Sequence, residues 1–206
     1  MVNSKEQKPT PGAKKESVLT PKDKERLDKL FSEVGERTLF YGEEDRDEWI
    51  SRLSEEGQKA RDYIFEKLEK IPAQDPSDKL RDSKEFFKYT NWLEQIAQPE
   101  DSEKLGQILT RNDILNPLDR SSRGNIISAL RKNGTYENLN SLKTFVENVV
   151  KSDELNEKHK WLDLDSVGGI LEIIIERTED KKEIGKLGSF WGIVKQEKKQ
   201  FPRPTK

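Results

Sequence analysis

The chain contains no cysteine, which excludes a disulfide scaffold and a thiolate-ligated metal. It has one histidine, His159 in "LNEKHKWLDLD", so a Ser–His–Asp triad or any imidazole acid–base site would have to use that residue. Long apolar runs are missing too. The most apolar stretch, "GGILEIIIE" at 168–176, is far shorter than a bilayer-spanning helix and contains Glu172. The opening "MVNSKEQKPTPGAKKES" has none of the apolar run of a secretory signal. A cytoplasmic protein that does not engage a membrane is the expectation. No phosphate-binding glycine loop of the P-loop or dinucleotide kind occurs, and Gly168-Gly169, at what reads as a helix start, lacks the rest of either pattern. No cofactor is expected.

What the chain has in quantity is charge. Of its 206 residues 38% are charged and only 31% hydrophobic, far to the polar side of an average globular chain. That balance favours a thin, extended arrangement over one compact core. The net charge of −2 is unevenly spread: residues 1–24 sum to +3 and residues 195–206 to +4, leaving −9 on the body between them. Residues 1–19, rich in Lys, Pro, Ser and Thr, read as a disordered basic tail. Residues 20–196 read as a helical domain, and 197–206 as a second basic tail.

Within the body, punctuation and periodicity agree on helices. Thr20-Pro21 is an N-cap followed by proline at the first helical position, with Asp23 in the first turn. Leu27, Leu30, Phe31 and Val34 follow at helical spacing until Gly35. The acidic "EEDRDEW" suits another helix N-terminus, and that helix runs through Ile50 and Leu53 to Gly57. Tyr63, Ile64, Leu68 and Ile71 mark the next, stopped by Pro72, and "IPAQDPSDKLRDS" is a loop. In "SKEFFKYTNWLEQI", Phe86, Tyr89, Leu93 and Ile96 form one stripe, and Pro99 cannot continue it because it lacks an amide hydrogen.

This layout then recurs. The last apolar residue before each break and the first after it are Ile96/Leu105, Leu130/Leu139 and Ile175/Ile184, each pair nine apart. The units begin 34 and then 45 residues apart, in the range of helical-pair repeats. The fold class expected is all-α: an array of antiparallel helical hairpins, a short α-solenoid turning near Pro99, Gly134 and Glu179–Lys181, with an irregular helical bundle as the alternative. Over roughly residues 46–194 the layout resembles the HEAT/armadillo class, although it lacks that consensus's kinking proline and its Asp and Arg pair. The resemblance implies stacked hairpins whose joint surface binds another protein.

Chemistry-bearing candidates are few. His159 sits in what reads as a charged connector. Asp163 and Asp165 in "WLDLDS" could contribute to a metal site only with distant acids; Asp165 and Ser166 precede an apolar run and read as helix caps. "EIGKLGSFWGIV" contains Ile-Gly-Lys-x-Gly, which resembles the loop of a KH domain, but that fold needs two strands and a helix afterwards and only twelve residues follow Val194. A flat packing strip of Gly185, Gly188 and Gly192 is the better reading.

A non-enzymatic protein-interaction module is the function these features favour, with a stoichiometric inhibitor or immunity protein covering a basic partner as the alternative. Nucleic-acid binding through the tails ranks behind both, because their Lys/Arg are not interleaved with stacking aromatics apart from Phe201. The expected partner is a protein with a basic patch, and Phe40, Tyr41 and Phe87, each off the main apolar stripes, are the candidate anchors. Cleavage within residues 1–19 by limited proteolysis should leave the melting temperature of the body nearly unchanged, whereas a drop of several degrees would show that this tail packs on the domain.

Overall fold

The computed structural model describes residues 19–37, 43–72, 84–116 and 120–204. Among them are nine α-helices and no strand: α1 (Pro21–Arg37), α2 (Glu43–Glu56), α3 (Gln58–Lys70), α4 (Lys84–Ile96), α5 (Ser102–Leu109), α6 (Arg120–Asn133), α7 (Leu139–Lys151), α8 (Glu157–Arg177) and α9 (Lys181–Lys198). The protein is all-α. Phe40, Tyr41 and most of the loop after Ile71 lie outside the described residues.

The helix boundaries have local causes. At the start of α1 the Asp23 amide donates to Thr20 Oγ1 at 3.1 Å and the Thr20 amide donates to the Asp23 carboxylate at 3.1 Å, a reciprocal cap. The helix runs through Gly35 to Arg37, two residues beyond the expected stop. Between α2 and α3 there is no loop at all. Gly57 takes φ of 55°, the one positive φ among the described residues, a region open to glycine at little cost.

The three expected turns are present, and the first two share one design. After α4, the Gln98 amide donates to Asp101 Oδ2 at 2.9 Å. After α6, the Thr135 amide donates to Asn138 Oδ1 at 3.0 Å. Each bond closes a single 3-10 turn, Pro99–Asp101 or Tyr136–Asn138, that feeds the next helix. The third turn is plainer: Asp180 caps α9 by accepting from the Lys182 and Glu183 amides.

Packing between successive units is as extensive as packing within them. Helices α8 and α9 fold back closely on each other, but α4 packs most extensively on α6. Contacts run α4–α6–α8 in one row and α5–α7–α9 in another. Small residues let α4 and α6 approach: Ala129 is fully buried there, and Ser128 Oγ donates to Glu94 Oε1 at 2.8 Å. Apolar side chains from every helix join in one core, among them Leu53, Ile64, Leu93, Leu105, Ile126, Leu142, Phe145 and Leu171.

Polar rungs tie one unit to the next. Asn138, with 0% exposure, donates to the Ser102 carbonyl at 2.7 Å and accepts from Ser102 Oγ. Asp101 is buried against Arg61, whose Nε lies 2.6 Å from Asp101 Oδ2. Side chains also reach back to the C-terminal carbonyls of the preceding unit: Arg111 to Leu68 and Ile71, Lys132 to Glu94, Asn133 to Ala97, Arg177 to Lys132.

At the C-terminus α9 continues past the expected boundary at 196, and Phe201 lies half-buried against the core with Lys160 Nζ 5.6 Å from its ring centre. The ordered packing therefore extends to Phe201, whose ring rests on the core.

Two substitutions test the joint between α5 and α7. A Cβ on Gly106 would stand 2.8 Å from Ser141 Oγ and 2.9 Å from Asn138 Nδ2. Gly106→Ala should therefore destabilise the protein, opposite to the gain of about 1 kcal/mol that helix propensity alone would give. Asn138→Ala should cost about 1–3 kcal/mol, because it removes the buried bond to the Ser102 carbonyl and leaves the Thr135 amide with Ser102 Oγ alone, at 3.2 Å. Urea denaturation measures both.

Candidate interaction surface

The sequence's titratable candidates fall into structural roles. Helix α8 begins at Glu157, with Asn156 as its cap accepting from the His159 amide at 2.9 Å. His159 is therefore in the first turn of a helix, not in a connector. Burial, together with Arg120 and Arg123, holds its imidazole below the ordinary range, so the ring is neutral near pH 7. Asp163, Asp165 and Ser166 lie inside α8 and cap nothing: Ser166 Oγ bonds back to the Leu162 carbonyl and Asp165 pairs with Lys198 at 2.8 Å.

Asp163 is buried and faces Arg123, itself only 1% exposed. Arg123 Nε lies 3.0 Å from Asp163 Oδ2 and 3.2 Å from Oδ1, while Nη1 donates to the Ile114 carbonyl at 2.9 Å. Burial pushes the Asp163 carboxyl up, and Arg123 works against that shift. With both groups closed off by packing, the pair locks α6 to α8 and leaves no open coordination or reaction space. Among the described residues no group of three or more His, Asp or Glu side chains is placed to hold a metal ion. No helix among them is long and apolar enough to cross a membrane.

A groove of about 250 Å³ crosses α8 instead. Its floor is the backbone at Gly168-Gly169, which sits in mid-helix and not at a helix start. Two interior glycines cost about 1 kcal/mol each relative to alanine, and here they make room. A Cβ on Gly169 would lie 3.2 Å from Arg131 Nη2, and one on Gly168 would touch Trp191 Nε1 at 3.7 Å. Lys195 Nζ stands 3.4 Å above the centre of the Trp191 ring. Lys198 is neutralised by Asp165, which leaves Arg131 and Lys195 against Glu172 on the groove wall.

The groove opens onto the outer face of α9. Gly185, Gly188 and Gly192 form the flat strip expected from their spacing, but none of the described residues packs on it: a Cβ at any of the three would meet no atom of theirs within 4 Å. Ile193 beside them is 53% exposed, the one large apolar side chain so exposed among the described residues. On α2, by contrast, the outward residues are Asp47, Glu48, Ser51, Ser54 and Glu55. Phe87, on α4, is half-buried.

Three features were not anticipated from sequence: the buried Arg123–Asp163 pair, the groove, and Arg131 beside it, which has no ion-pair partner among the described residues. One signal was available, since Trp191 and Lys195 are four apart and so share a helix face. No protein-family model matches the chain, and neither a curated protein nor a solved structure is detectably similar to it.

The buried pair makes a sharp prediction. Asp163→Ala should cost about 3–5 kcal/mol in urea denaturation by leaving the Arg123 guanidinium uncompensated, while Arg123→Met combined with Asp163→Leu should recover most of that loss. A double variant no more stable than Asp163→Ala would show that the pair does more than neutralise itself.

Proposed function

We propose that the chain is a non-enzymatic protein-binding module, an adaptor or scaffold, in which stacked helical units of the HEAT/armadillo kind present a joint surface to a partner. The observation that carries this reading is the two-row packing tied by rungs between successive units. Rungs of that kind fix the spacing of neighbouring helices, so side chains from α4, α6 and α8 act as one rigid face. Preorganisation of this sort lowers the ordering cost of binding.

The body's −9 selects a partner with a basic patch, because complementary charge speeds encounter and rejects wrong partners. Exposed ion pairs contribute only about 0–1 kcal/mol each, so affinity also needs an apolar anchor. Phe87 is half-buried on α4 and fits that role; Phe40 and Tyr41 complete the proposed set. Affinity capture with cross-linking mass spectrometry identifies the partner, with cross-links expected on the helical body. Kinetics with that partner should then show association slowing steeply as salt rises, and Phe87→Ala should speed dissociation about tenfold. Association indifferent to salt, or capture of nucleic acid in place of protein, would sink this reading.

A further inference from the structure

Several charges on the two outward helix faces are unmatched among the described residues. Asp47, Glu48 and Glu55 on α2 have no ion-pair partner, and neither do Arg131 and Lys195 at the groove. Within α2 seven acids face two arginines; within α9 five lysines face two glutamates. The shapes correspond as well. Ser51 and Ser54 are the small residues between the α2 acids, and Gly188 and Gly192 are the small residues beside Lys195. Small side chains on both helices allow backbones to approach closely.

We propose that a second copy of this chain docks its α2 across the α8–α9 groove. Its carboxylates lie against Arg131 and Lys195, over the backbone notch at Gly168-Gly169. Trp191 supplies apolar surface beside those charges, and the α9 glycine strip receives Ser51 and Ser54. Glu172, the uncompensated acid on the groove wall, opposes docking of a carboxylate beside it and so sets the register toward Arg131 and Lys195. The two faces are different patches of one molecule, so the contact is heterologous: each copy that uses its α2 leaves its own groove free for the next. This inference stands apart from the partner-binding reading, since a chain that never self-associates can still bind another protein.

Sedimentation velocity on the full chain, over rising concentration, tests it. At about 0.02 M salt the sedimentation coefficient should climb with concentration, and at about 0.5 M salt the climb should disappear. One variant, Arg131→Gln with Lys195→Gln, removes the groove cations. Another, Asp47→Asn with Glu48→Gln and Glu55→Gln, removes the α2 acids. Each should weaken association about tenfold or more without moving the melting temperature. The two sets lie on different helices, so a folding fault in one leaves the other as the test. An equimolar mixture of the variants should associate again but stop at a heterodimer, because each such pair retains one intact α2 and one intact groove. A wild-type chain that stays monomeric in low salt would overturn the proposal. So would variants that associate like the wild type, or a mixture that stays monomeric.

Discussion

Short helices leave much of their backbone unpaired at the ends, and in this protein the neighbouring unit supplies the missing partners. An α-helix has four amides and four carbonyls without internal partners, and α5 is only eight residues long. Arg111 closes the end of α3, Lys132 and Asn133 close the end of α4, and Arg177 closes the end of α6. On the amide side, the buried Asp101 and Asn138 hold the entry turns of α5 and α7 while bonding to Arg61 and Ser102 one unit earlier. The units are therefore completed by one another, and the two-row packing is a condition for finishing each helix as well as for covering its apolar face.

Charge is abundant in this chain but does little of the holding. Exposed pairs such as Arg52–Glu33 and Lys151–Glu147, at 3.6 and 3.8 Å, are screened and flexible. The consequential ions are buried, as in Arg123 with Asp163 and Arg61 with Asp101, or half-buried on one side, as in Arg111 with the buried Asp113 at 2.8 Å. Each sits where one helix meets another and would be costly to leave half-paired. Aromatic packing takes over at the N-terminal end, where Phe31 stacks on Tyr63 with centroids 5.1 Å apart and meets Tyr89 and Trp92 edge-on.

Most of the helical layout was legible because local chemistry decided it. Thr20-Pro21-x-Asp23 is a cap in any context, Pro99 ends a helix in any context, and the nine-residue offset follows from a short turn between two apolar stripes. The misread parts depend on residues far away. Asp165 and Ser166 resemble a cap until Asp163 is paired with Arg123, forty positions earlier, which lets a carboxylate lie on the apolar side of a continuous helix. Gly168-Gly169 reads as a helix start for the same reason: the two glycines leave space for Arg131 and Trp191, and neither neighbour is visible in a local window. The C-terminal tail was judged by its lysines, while the single Phe201 decided where it packs.

The rungs have a regular reach along the chain. Ser102 to Thr135 spans 33 residues, Asn138 to Ser102 36, Arg123 to Asp163 40 and Arg177 to Lys132 45. Closing a loop becomes only slightly harder as it lengthens, so each of these steps carries nearly the same entropic cost, and none waits for the two ends of the chain to meet. Assembly can thus advance like a zipper: during synthesis, an emerging unit finds its predecessor already made and receives from it the surface on which to order.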